Sequence, residues 1–206
     1  ESPIYGLVAP GYSMARTAVS HITGGDLEFA GADMSTKLKL MGVDVGSIGD
    51  AHGRTAGSLS YTYHNQPEGI YKRLIVDGAQ KKVIGAVLVG DTSDYDTLLQ
   101  YSLNDIDIPE HAESLILPSA GEKPALGADA LPDTATVCSC HNVSKAAVVK
   151  QVKDGCRAIG EIKSKTKCGT GCGGCMPLAT SIFNAAMKAE GAEISNHLCP
   201  HFKYSR

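Results

Sequence analysis

The cysteines of this chain are confined to its last third, and that confinement constrains the fold more than any other feature. All seven lie between positions 138 and 199. An odd number crowded into one region makes a poor disulfide framework. Without a secretory signal, clustered thiols point to a reducing compartment and to metal. The stretch "TVCSCHN" holds Cys138 and Cys140 one residue apart. "KCGTGCGGCMP" holds Cys172 and Cys175 as a C-x-x-C pair, with Cys168 upstream. A disulfide between Cys138 and Cys140 would be strained. With 31 residues (141–171) between them, the C-x-C and C-x-x-C pairs form a four-thiolate set.

Three chemistries suit such a set. An iron–sulfur cluster held by four thiolates is anionic, and both pairs precede expected helices, whose N-termini offer free N–H groups and a positive dipole end. The glycines at 169, 171, 173 and 174 let the backbone curl and aim N–H groups at sulfur. Structural zinc also takes four cysteines but prefers wider C-x₂₋₄-C knuckles than Cys138–Cys140 offers. A redox dithiol in "CGGC" would leave Cys138 and Cys140 without a role. Spacing alone leaves all three open, with the C-x-C pair favouring iron and sulfide.

The other cysteines are read more blandly. Cys156 follows a helix-ending glycine and is expected to be a small buried residue. Cys168 flanks a complete set and is read as a bystander. "LCPHFKYSR" aligns without gaps on "VCSCHNVSK", placing Cys199 on Cys138 and His201 on Cys140. Residues 193–206 are therefore expected to open a second, truncated copy of the module, and Cys199 and His201 are left out of any site. Gly169, Gly171 and Gly174 satisfy G-x-G-x-x-G only formally, because "EIKSKTK" before them is no apolar strand. Asp50 and His52 are read as a turn acid and a surface imidazole.

The fold expectation is α+β: a small antiparallel sheet with flanking helices, followed by a small all-α iron–sulfur domain. "LPSAGEKPALGADALPDTAT" (117–136) has no hydrophobic period and reads as a linker between domains 1–116 and 137–192. In the first domain, "PGYSMARTAVSHI" places Met14, Ala15, Ala18, Val19 and Ile22 at helical spacing. "STKLKLMGVDVGSI" alternates as one strand with a bulge at Gly42. "SLSYTYH" is a strand, and "DGAQ" joins two more in a hairpin. A helix over 92–106, opened by a Thr/Ser/Asp cap, buries Tyr95, Leu98, Leu99 and Leu103. In the second domain Ser144 caps a helix that turns Val148, Val149 and Val152 inward. Pro177 opens another, with Leu178, Ile182, Phe183, Ala186 and Met187 in one stripe.

Composition sets limits on partners. A formal net charge of −3 gives no electrostatic reason to expect nucleic acid or an anionic membrane. No apolar run is long enough to span a bilayer. The expectation is a cytoplasmic piece of a longer polypeptide, with neither nucleic acid nor membrane as partner.

"VCSCHNVSK…GTGCGGCMP" resembles the bacterioferritin-associated-ferredoxin-like (BFD-like) [2Fe-2S] module, and the resemblance implies Cys138, Cys140, Cys172 and Cys175 as ligands. "GADMSTKLKLMGVDVGSIGDAHG" and "IYKRLIVDGAQKKVIGAVLVGDTSDYDTLL" resemble the C-terminal domain of pyridine-nucleotide–disulfide-type flavoproteins. In this order the two are similar to the middle of the large subunits of cytoplasmic, assimilatory-type NAD(P)H-dependent nitrite reductases. That resemblance implies an electron path from NAD(P)H through FAD and the [2Fe-2S] cluster to a [4Fe-4S]–sirohaem centre, where nitrite becomes ammonium. FAD, sirohaem and [4Fe-4S] are then expected in the rest of the polypeptide, with its FAD/NAD and sirohaem domains and a small subunit as partners. The fragment alone is not expected to reduce nitrite. "YGLVAPGY" resembles a helix start that points at the flavin, implying N–H contacts to FAD near Gly6, Leu7 and Val8. The competing reading is a zinc-bearing interaction module without redox chemistry.

Overall fold

The computed structural model describes residues 4–118, 128–171, 173–192, 197–199 and 202–205. The assignment on Cys172 falls outside them, as do His201 and the side chain of Cys199.

The first body is an antiparallel five-stranded sheet in the order β1-β2-β5-β4-β3. Its strands are β1 (Thr36–Leu40), β2 (Val43–Gly49), β3 (Leu59–Asn65), β4 (Ile70–Val76) and β5 (Val83–Val89). The segment read as one bulged strand is two. Leu40 pairs with Val43, and Met41 and Gly42 both take positive φ, 51° and 87°. Two successive positive φ values define the type I′ turn, whose twist matches a hairpin. The hairpin at Asp77–Gln80 forms as expected: the Asp77 carboxylate accepts from the N–H groups of Lys81 and Lys82 at 2.7 and 2.9 Å.

Helix α2 (Tyr95–Leu103) covers one face, and Leu98 joins Ile48, Leu74, Val76, Ala86 and Leu88 in a dry core. Gly46 is what admits it. A β-carbon there would sit 2.7 Å from the Tyr95 ring, so only glycine lets the helix come this close. The expected capping chemistry is replaced by an ion pair. The carboxylate of Asp94, the residue ahead of α2, accepts from Lys72 Nζ at 2.6 Å instead of capping the helix. Asp91 takes a second hydrogen bond from the same ammonium at 2.6 Å. Lys72 is buried on β4, and two carboxylates compensate its charge.

Helix α1 (Val8–Ile22) forms where expected, but its apolar stripe stays exposed: Met14, Ala15, Ala18, Val19 and Ile22 all face solvent. Only Pro10 is buried, and Ala9 packs against the second body, not on the sheet.

That second body has its own core. A two-stranded ribbon, β6 (Thr136–Cys138) with β7 (Val143–Ser144), leads into α3 (Lys145–Lys153), α4 (Ile159–Thr166) and α5 (Met176–Ala189). The ribbon is an addition to the all-α expectation. Ser144 caps α3 by accepting from the Ala147 N–H at 3.2 Å. Val148, Val152, Ile162, Ile182, Phe183 and Met187 pack with Cys156, and Ala128, Leu131 and Ala135 from the linker stretch join them. A further pair of short strands, β8 (His197–Cys199) and β9 (Phe202–Ser205), matches His197 with Ser205 as the first ribbon matches Thr136 with Ser144.

Candidate metal centre

The two cysteine segments meet at the end of α5. Cys138 ends β6, and Asn142, in the left-handed region at φ 50°, turns the chain back into β7. Between them Cys140 and His141 project from the turn. Across from this turn, Lys167 ends α4 with a left-handed φ of 61°, which redirects the chain so that Cys168 enters the core. The Cys168 N–H is held by Thr166 Oγ1 at 3.1 Å. Cys175 then occupies the cap of α5, with Pro177 in the first turn.

Three thiols converge. The Sγ atoms of Cys138, Cys168 and Cys175 all lie within 4.8 Å of one another, and Cys168 and Cys175 are 3.7 Å apart. Cys138 and Cys168 are buried and Cys175 is partly so. Their protonation is linked. Hydrogen bonds from Cys168 and Cys175 hold the Cys138 thiol far below its ordinary range. The bond to Cys138 pushes Cys168 up to about 11 and drives Cys175 higher still. A group of thiols carrying one readily formed thiolate is a ready acceptor for a thiophilic metal, which displaces the remaining protons.

Cys140 lines the same cleft as Cys138 and Cys175. It is buried, and a β-carbon on Gly171 would lie 2.9 Å from its Cβ and 3.1 Å from its Sγ. The glycine therefore leaves the space that the Cys140 side chain fills. His141 ties the two segments together: its Nε2 is 3.1 Å from Thr170 Oγ1. Since the one hydroxyl hydrogen of Thr170 goes to the Lys167 carbonyl at 2.8 Å, Nε2 carries the proton and donates. The other face of the ring meets Tyr12 of α1, with centroids 5.4 Å apart.

In front of the cysteines lies a cleft of about 560 Å³ between the two bodies. Cys138, Cys140 and Cys175 line it from one side; Leu7 and Val8 from the start of α1, and Lys37 and Tyr95, line it from the other. Of the seven residues singled out from the sequence, the structure gathers five around this cleft. Gly6 is not among its lining residues, and Cys172 is outside the described residues. Cys168 belongs in the thiol group despite being read as a bystander, and His141 and Thr170 were not singled out at all. The donors fit a thiolate-held iron–sulfur group: soft ligands, an anion-favouring helix start at Cys175, and a shielding apolar core behind.

Comparison with known proteins agrees with this geometry. Residues 35–105 match the rubredoxin NAD+ reductase C-terminal domain family, and residues 136–185 match the BFD-like [2Fe-2S] binding domain family. The nitrite reductase (NADH) large subunit of Escherichia coli is 55% identical over 98% of this chain, which spans 24% of that protein. The nitrite reductase [NAD(P)H] large subunit of Klebsiella oxytoca is 50% identical over 100% of the chain, here 22% of its own length. The assimilatory nitrate reductase electron transfer subunit of Bacillus subtilis is 33% identical over 91% of the chain and is matched over 24% of its length. The chain therefore joins a domain of the rubredoxin NAD+ reductase C-terminal kind to one of the BFD-like [2Fe-2S] binding kind, and as a whole is homologous to one segment of the nitrite reductase large subunits.

Proposed function

We propose that this chain is the electron-relay segment of an NAD(P)H-dependent nitrite reductase large subunit, holding a [2Fe-2S] cluster on Cys138, Cys140, Cys172 and Cys175. The single observation that carries the reading is the meeting of the C-x-C turn and the Cys168–Cys175 turn at one buried point beside the α5 N-terminus. When bound, the cluster supplies one-electron carriage from FAD towards a sirohaem/[4Fe-4S] centre, both in parts of the subunit outside this chain.

The protein's own residues do the rest. The thiolates fix the irons, and the positive dipole end of α5, at whose cap Cys175 stands, favours the negative charge they hold. Gly171 leaves room for Cys140. The Leu7–Val8 side of the cleft faces the cysteines, which supports backbone contacts from Gly6, Leu7 and Val8 to the flavin. Residues 1–116 and 137–192 serve as the two functional units with 117–136 between them, the second unit being in essence a helical iron–sulfur domain and 193–206 the opening of another such module. The remainder of the polypeptide and a small nitrite reductase subunit are the partners, and the cytoplasm is the compartment. Among the described residues no helix is long and apolar enough to cross a membrane.

The test is anaerobic purification followed by iron, acid-labile sulfide and visible absorption measurements. Two irons and two sulfides per chain are expected, lost in Cys172→Ala and retained in Cys168→Ala. A colourless protein holding one zinc and no sulfide would overturn the reading in favour of a zinc-bearing interaction module.

A further inference from the structure

Cys168 has no role in the four-cysteine set, yet the fold spends effort on placing it. A lysine is held in the left-handed conformation to turn it inward, a threonine hydroxyl binds its amide, and its side chain is buried. Packing alone asks for no sulfur there, since an alanine or valine fills a small apolar site as well. What a thiol adds is its distance to its neighbours. Two sulfurs bound to one tetrahedral ion at about 2.3 Å stand about 3.8 Å apart. Cys168 and Cys175 are 3.7 Å apart, and Cys138 completes a triangle within 4.8 Å. Thiolates on opposite irons of a two-iron cluster are kept further apart by the bridging sulfides. The triangle is therefore sized for one metal ion, and Cys140 is not among its members.

We propose that Cys138, Cys168 and Cys175 form a site for a single thiophilic divalent ion. Soft thiolates favour iron or zinc over magnesium or calcium. The fourth tetrahedral position opens on the cleft, where water or an incoming sulfide can bind. Two of the three thiols, Cys138 and Cys175, are shared with the proposed cluster set, so the single ion and the cluster exclude one another. The inference rests on the thiol geometry and stands whether or not the cluster reading does.

The experiment uses the full chain, stripped of metal under reducing, anaerobic conditions and titrated with Co²⁺ alone. One equivalent should bind, with the thiolate-to-cobalt charge-transfer absorption of a tetrahedral site. Cys168→Ser should weaken binding at least tenfold and remove one sulfur neighbour from the X-ray absorption spectrum of the ion, while Cys140→Ser should leave affinity and sulfur count as they were. Wild-type affinity and sulfur count in Cys168→Ser would overturn the proposal. Mass-spectrometric alkylation of the unmutated protein gives a readout independent of whether a variant folds. One equivalent of Zn²⁺ should slow alkylation of Cys168 at least tenfold, and an unchanged rate would overturn the proposal. No sulfide is present in these measurements, so the cluster reading fails separately, through reconstitution with iron and sulfide that yields no [2Fe-2S] chromophore.

Discussion

His141 Nε2 donates to Thr170 Oγ1 across 3.1 Å, and this bond joins two turns that lie 29 residues apart in the chain. One turn carries Cys138 and Cys140, the other leads from Cys168 to Cys175. The bond acts as a clasp on the metal centre: it fixes how far apart the two pairs of thiols can stand.

Thr170→Val should therefore release the clasp while keeping the side-chain shape. The substitution removes this bond and the one from the hydroxyl to the Lys167 carbonyl, and each hydrogen bond lost costs about 1 kcal/mol, or about a fivefold change in an equilibrium. The expected outcome is a cluster that bleaches several-fold faster against an iron chelator, followed by its visible absorption. His141→Ala, which also removes the Tyr12 ring contact, should bleach faster still.

Gly171→Ala tests the space around Cys140. The new β-carbon would have to stand within 3.1 Å of the cysteine Sγ and closer yet to its Cβ. Cysteine has a short side chain with little room to yield, so Cys140 must move. We expect iron and sulfide content per chain to fall by more than half, with the far-ultraviolet circular dichroism of the helices unchanged.

Lys72→Met removes the ammonium shared by Asp91 and Asp94. Asp94 is 8% exposed at its side chain and would keep a buried carboxylate beside an apolar residue. Breaking a buried pair this way costs about 3 kcal/mol or more. Denaturant unfolding of the first body should show that loss, and a Lys72→Met/Asp94→Leu double variant should recover much of it.

The same network sets the acid limit. Burial pushes Asp91 up, but hydrogen bonds from Lys72 and Ser93 outweigh it and hold the group at about 2, below its ordinary 3.8. A carboxylate depressed on folding stabilises above its unfolded value and loses that contribution as pH falls through the folded one. Stability of the first body should therefore drop between about pH 4 and pH 2. Asp91→Asn should flatten that slope in thermal melts taken across the window, and an unchanged slope would place the acid sensitivity elsewhere.

Much of this was legible in the sequence, and the exceptions have physical causes. The Asp77 turn, the Ser144 cap and the Leu178–Met187 stripe are written in local chemistry, and local chemistry decided them. The β1–β2 turn was hidden because a two-residue hairpin preserves the alternation of inward and outward residues, so Leu38, Leu40, Val43 and Val45 look like one strand. The exposed stripe of α1 has the right period for burial but no covering surface among the described residues. Asp94 has the residue type of a cap, and only the fold reveals a buried lysine 22 positions earlier in the chain competing for it. Cys168 depended on Lys167 adopting a left-handed turn, a conformation that glycine or asparagine would have advertised and lysine does not.

The cleft before the thiols is walled by two bodies whose cores are separate. Among the contacts that join them is the hydrogen bond from the Thr136 N–H to Asn104 Oδ1 at 2.6 Å. Cys138, Cys140 and Cys175 line that cleft, so oxygen and chelators reach the thiols by that route. The lifetime of the centre in air is then a matter of how wide that route is, and a bulkier side chain on the facing wall, at Val8 for example, would lengthen it without touching a single ligand.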